Sequence, residues 1–294
     1  MKRDEEQLRR ETVAKIVLRG PRATALSFSR PVLIVGSMTL QKVTNEVLRT
    51  VEEVTGRPVL VQPDPSLGTI LAKVNMARGS AAAHLVTYNP SAGASADYGI
   101  CSQCGFMLRT FGVPEQDRFS VGGSASGRKE AEQLLIEHHR MRRQPLSQKI
   151  FSGLLERLFG GLILQLRSMP ISVRVDAWIQ RSYPELAEQQ KKAVVRQLND
   201  NSMSLKPEVR EIAPDKFIQA SVDMNAGFAL YWARAWSDPL LGVPYKSSGK
   251  LEIGEKLLGL LDEIPDDPAN DRKLIDAWGS HVGLNGWYEF LPYE

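Results

Sequence analysis

Cys101 and Cys104 are the only two cysteines of the chain and stand three positions apart in "ICSQCGFMLRTFG", residues 100–112. A Cys-x-x-Cys pair can perform thiol redox chemistry or supply half of a zinc site. A redox pair needs its first thiol at a helix N-terminus, where the dipole stabilises the thiolate. Asp97 is the expected helix cap, so Cys101 falls in the second turn, beside an anion that disfavours a thiolate. Ile100, Phe106, Met107 and Leu108 make the setting apolar, which raises a thiol pKa. A zinc site needs two further ligands. His138 and His139 are adjacent, and neighbours on a helix point about 100° apart, so both do not reach one ion. The favoured reading is two small buried side chains on one helix face. Ser102 as a nucleophile lacks a G-x-S-x-G elbow and would need His84, His138, His139 or His281 brought beside it. His84 itself reads as a packed or surface residue of a strand. "SVGGSASGRK" lacks the G-K-[S/T] of a phosphate-binding loop.

Composition narrows the class. Of 294 residues, 43% are hydrophobic and 24% charged, with a net charge of +3, as in an ordinary globular protein. So small a charge predicts no nucleic-acid partner. "MKRDEEQLRRE" has no apolar core of a secretory signal, and two cysteines make no disulfide scaffold, so a reducing, cytoplasmic setting is expected. "IFSGLLERLFGGLILQLRSM" (150–169) approaches the length of a membrane span, but Glu156, Arg157 and Arg167 inside it predict a core helix and no membrane association.

The elements that must position the cysteine segment follow from periodicity. A charged helix is expected over 2–19 and a strand over 31–36. A helix follows, with Leu40, Val43, Val47, Val51 and Val54 on one face and Gly56 at its stop. "RPVLVQ" reads as a strand. "TILAKVNMA" and "AHLVTYN" alternate and should pair. "PSAGASAD" is a loop into a helix from about 98 to 110. "SVGGSASG" (120–127) reads as a flexible loop and domain boundary. After it, helices are expected over 128–143, 147–168, 171–182, 184–200, 215–236, 251–262 and 271–280, with a docked aromatic tail. "HRMRR" (139–143) reads as a solvated helix end, and the aromatic stripe in 223–236 as core. The class is therefore α+β: a small mixed or antiparallel sheet packed on the cysteine-bearing helix, followed by a mainly helical part. The expected division is 1–125 and 126–294, packed as one compact unit.

The window "AHLVTYNPSAGASADYGICSQCGFMLR" resembles the ImmA/IrrE-type minimal zinc metallopeptidases, a zincin-like family. There a strand and loop lead to a helix carrying H-E-x-x-H, as in "HECGHILR". Two histidines at i and i+4 bind zinc and the Glu polarises water. Laid on that pattern, Ser102 stands at the first histidine, Gln103 at the general base and Phe106 at the second histidine. Cys104, Gly105, Leu108 and Arg109 match residues often found around the motif. The resemblance places the third ligand on a later helix, where Asp176 is the candidate, and a cleft at Cys104, Arg109 and Asp176. Phe106 has no ligating atom, Ser102 is a poor ligand and Gln103 is no base.

The resemblance thus implies a degenerate member: a catalytically inactive pseudoprotease, holding no zinc or other cofactor, that binds a protein or peptide in a regulatory or defence-related role. The alternatives are an enzyme using a Cys101/Cys104 redox or metal site, with zinc as its cofactor, and a structural subunit of a larger complex.

Overall fold

A computed structural model describes residues 40–143 and 146–293. The expected helix 2–19 and strand 31–36 lie outside them. In chain order the elements are helix α1 (Lys42–Thr55), strands β1 (Val59–Pro63), β2 (Ala72–Asn75) and β3 (His84–Tyr88), and helix α2 (Ser95–Phe111). Then come strand β4 (Phe119–Gly123) and helices α3 (Ala125–Met141), α4 (Gln148–Ser182), α5 (Ala187–Ser202) and α6 (Asp215–Ala235). Helices α7 (Val243–Ser247), α8 (Leu251–Glu263) and α9 (Asp271–His281) and strand β5 (Tyr288–Pro292) complete the set. The fold is α+β with a mainly helical C-terminal part.

The chain divides into two compact units, and the division is not the one expected at 125/126. One unit holds residues 40–119 together with Ser172–Val195 and the chain after Leu291. The other holds Ser120–Ile171 and Arg196–Leu291.

The first unit contains the sheet, ordered β1-β3-β2. β1 runs parallel to β3 with Val59 opposite His84, and β2 runs antiparallel to it with Ala72 opposite Tyr88, so the sheet is mixed. Period-2 patterning sets its faces: His84, Val86 and Tyr88 are buried and alternate with half-buried Leu85 and Thr87. α1 buries Val43, Val47 and Val51 at helical spacing and ends at Gly56, whose φ of 67° is the left-handed stop glycine allows. Val54 does not join that face and is 45% exposed. α2 begins at Ser95, three residues before the expected start. Asp97 lies inside its first turn, and its carboxylate serves the other helix: it accepts from the Gln41 backbone N–H (3.0 Å) and the Thr44 hydroxyl (2.5 Å) at the start of α1.

In the second unit, the expected loop 120–127 is largely β4 and the start of α3. β4 pairs with β5, the aromatic tail. Ser124 caps α3 by accepting from Gly127 N–H (2.9 Å), and its hydroxyl donates to the Gly286 carbonyl. Trp287, fully buried, meets Phe217 and Phe159 and donates its indole N–H to Glu130 (2.8 Å). Gly123 and Gly127 permit this: a Cβ on Gly123 would lie 2.3 Å from Phe159, and one on Gly127 2.4 Å from the Trp287 Cα.

The expected break at Pro170 is absent. α4 is one helix of 35 residues with Pro170 inside it. A mid-helix proline costs about 3 kcal/mol. Leu162, Leu166, Val173, Val175 and Ile179, all almost fully buried, contribute about 2 kcal/mol each and outweigh it.

The candidate site on helix α2

α2 carries Cys101, Ser102, Gln103, Cys104 and Phe106. Its placement follows from β3, the short turn Pro90–Ala92 and the packing of residues 172–182 against it. Asn89 builds that turn: its side chain accepts from Ser91 N–H (2.8 Å) and donates to the Gly68 carbonyl (2.6 Å). Gly105 is the point of closest approach, since a Cβ there would lie 2.4 Å from Val175 Cγ1 and 3.3 Å from the Trp178 ring. Any side chain there would force Val175 and Trp178 to shift.

Both cysteines are free thiols with no exposed surface. Burial pushes the Cys101 thiol up to about 12, and the Asp97 charge adds to this against a contact with Thr44 at 3.8 Å. Burial, then the neighbouring Cys101, pushes Cys104 higher still. Neither is a thiolate near neutral pH, so neither is poised as a nucleophile. Cys104 therefore lies in the packed interior, whereas Arg109 is half-buried in the last turn, where a cation suits the dipole.

The three template positions, Ser102, Gln103 and Phe106, are half-buried. Tyr98, Ser102, Gly105 and Phe106, and Arg109 recur at helical spacing on one stripe. Residues 172–182 meet that stripe at Tyr98 and Gly105. Asp176, picked out by element order alone, lies in the unit that holds α2 and contacts that helix. Its carboxylate accepts a 2.6 Å hydrogen bond from the Tyr98 hydroxyl, four residues before Ser102. Gln190 donates to its backbone carbonyl (2.8 Å). Burial raises the Asp176 carboxyl to about 7, against the pull of the Tyr98 bond. Burial and the Asp176 charge raise the Tyr98 phenol well above its ordinary value.

The histidines take structural places. His84 is fully buried, with Nδ1 accepting from Ala77 N–H (2.9 Å), so its proton is on Nε2. Burial and the Arg57 charge hold its pKa down. His138 donates from Nε2 to the Glu211 carbonyl (3.3 Å) and meets His139 edge to face. Among the described residues no group of three His, Cys, Asp or Glu side chains is arranged to hold a metal, and no helix is long and apolar enough to cross a membrane.

No family model matches the chain, and no curated protein or solved structure matches it either.

Sequence reasoning missed Tyr98 and Gln190. Tyr98 stands one turn before Ser102 on the same stripe, and that spacing was the available signal. Gln190 carries none, because it acts only where the chain folds back.

Proposed function

We propose that the chain is a catalytically inactive, metallopeptidase-like protein that acts by binding a protein or peptide, in a regulatory or defence-related setting. The observation that carries this reading is the Tyr98–Asp176 hydrogen bond. The segment that the resemblance assigns to the third ligand returns to the motif helix, and its carboxylate bonds a tyrosine of that helix. Ser102, Gln103 and Phe106 offer no ligand set and no base beside it. A buried carboxyl hydrogen-bonded to a phenol stabilises the helix pair and does not activate water.

Binding has a physical route in the sheet. Among the described residues β1 and β2 each have a neighbour on one side only, and an extended peptide can add to such an edge. On β1, Leu60 is 46% exposed and offers an apolar contact for the added strand. The sealed thiols weigh against redox chemistry at Cys101 and Cys104.

The test is metal analysis of protein purified without chelator, with capture of partners from its own cells. Zinc well below one ion per chain and a partner lost on Leu60→Lys are expected. One zinc per chain overturns the reading, as does partner capture that survives Leu60→Lys.

A further inference from the structure

Three guanidinium groups converge within the first unit around the end of β5. Arg57 donates from Nη2 to the Gly79 carbonyl (2.9 Å). Arg78 lies over the Tyr293 ring at 4.5 Å. Arg118 lies over the Phe111 ring at 4.8 Å and donates from Nε to the Val113 carbonyl (3.2 Å). Backbone and rings tie them together. Tyr293 N–H donates to the Arg118 carbonyl (3.2 Å) and its hydroxyl to the Ala77 carbonyl (3.3 Å). Phe111 stands edge-on between Tyr293 (5.7 Å) and buried His84 (5.1 Å). Burial raises the Tyr293 phenol, while Arg78 first, then Arg57 and Arg118, pull it down, so all three cations act on one hydroxyl.

Among the described residues, none of the three arginines is ion-paired to a carboxylate. Arg57 and Arg118 are half-buried and Arg78 is exposed. Each guanidinium carries five N–H donors, most of them unused by the bonds above. Like charges gathered around one tyrosine favour an anion among them, which relieves their mutual repulsion. We propose that Arg57, Arg78 and Arg118, set around Tyr293, form a binding site for a phosphate monoester group.

Charge and shape select that ligand. A phosphate monoester carries about −1.5 to −2 near neutral pH, with oxygens that accept from several directions, and arginine forks match them. A carboxylate or a phosphodiester brings a single charge. The cluster is compact and the whole chain carries only +3, so it fits one phosphate group and not the long backbone of a nucleic acid. The site is independent of the pseudoprotease reading, since none of its residues belongs to the α2 template.

The experiment is calorimetric titration of the full chain with inorganic phosphate, dimethyl phosphate and acetate. Saturable phosphate binding is expected, with the two monoanions about tenfold weaker or more. Arg78→Gln, at an exposed position that leaves the circular dichroism unchanged, should lower phosphate affinity about tenfold. Arg140→Gln, an exposed arginine of α3, should not. Absent saturation, acetate as tight as phosphate, or equal losses in both variants would overturn the proposal. So would an oligonucleotide without terminal phosphate that displaces phosphate at lower concentration.

Discussion

Cys101 and Cys104 draw the eye in the sequence, yet their chemistry is decided by what surrounds them. With both sealed and raised, native protein should react with a thiol reagent such as DTNB orders of magnitude more slowly than unfolded protein. Fast labelling of two thiols in the native state would restore the redox reading. Asp176 behaves differently because it titrates near neutrality. Its folded pKa of about 7 lies above the value of 3.8 it has when unperturbed. Between those values the folded state holds more proton than the unfolded one, so stability falls as pH rises through the window. His84 and His138, both lowered, act in the opposite sense, losing stability as pH falls below about 6.5. Asp176→Asn leaves those histidines untouched and isolates the carboxyl. It should flatten the decline between about pH 4 and 7 and raise Tm above that window on the order of 5 °C. Identical pH profiles for the two proteins in thermal melts would show that Asp176 is not buried as described. Tyr98→Phe removes the bond that favours the ionised form, so it should cost more stability at about pH 8 than at pH 5.

Glycines decide how closely the elements pack, and three of them make a graded test. Gly105→Ala puts a methyl 2.4 Å from Val175 Cγ1, a side-chain atom that can shift. Gly127→Ala puts one 2.4 Å from the Trp287 Cα, which cannot shift without moving β5. Gly153 lies in the α4 interior and its Cβ would meet nothing within 4 Å. Denaturant titration should show Gly105→Ala destabilising by about 1–3 kcal/mol and Gly127→Ala by more, while Gly153→Ala stabilises by up to about 1 kcal/mol. Any other order would contradict the packing. The helices could be read from the sequence because caps and apolar spacing are local signals, as at α1 with its Val43–Val47–Val51 face and Gly56. β4 could not. Its alternation, Phe119–Ser120–Val121, lasts only three residues before Gly122 and Gly123 read as loop, and its partner β5 lies far along the chain. Pro170 read as a break because the buried face that outweighs it is a property of the packed helix. At the site, element order pointed to Asp176 on a later helix, and the fold sets its carboxylate against Tyr98, a pairing that no local signal announces.

Interleaving of the two units is the feature that acts at the scale of the whole molecule. The expected boundary near 125 would leave an N-terminal piece carrying α1, the sheet and α2. The structure assigns Ser172–Val195 to that same unit, and this segment supplies Asp176 to Tyr98, Val175 and Trp178 to the groove at Gly105, and Gln190 behind Asp176. A fragment ending at residue 125 therefore loses the cover over Tyr98 and Gly105 and exposes that face of α2, Phe106 included. It also loses β5, and with it Tyr293 against Phe111 and Arg78. Such a fragment should retain some helical circular dichroism but show no cooperative melt, bind a hydrophobic dye and exchange its α2 amides rapidly. Adding a peptide of residues 172–195 in excess should slow exchange in α2, because its contacts with Tyr98 and Gly105 form within that unit. A fragment that melts cooperatively and leaves α2 protected without the peptide would show that residues up to 125 fold alone, and that the packing of residues 172–182 onto α2 is not needed to hold it.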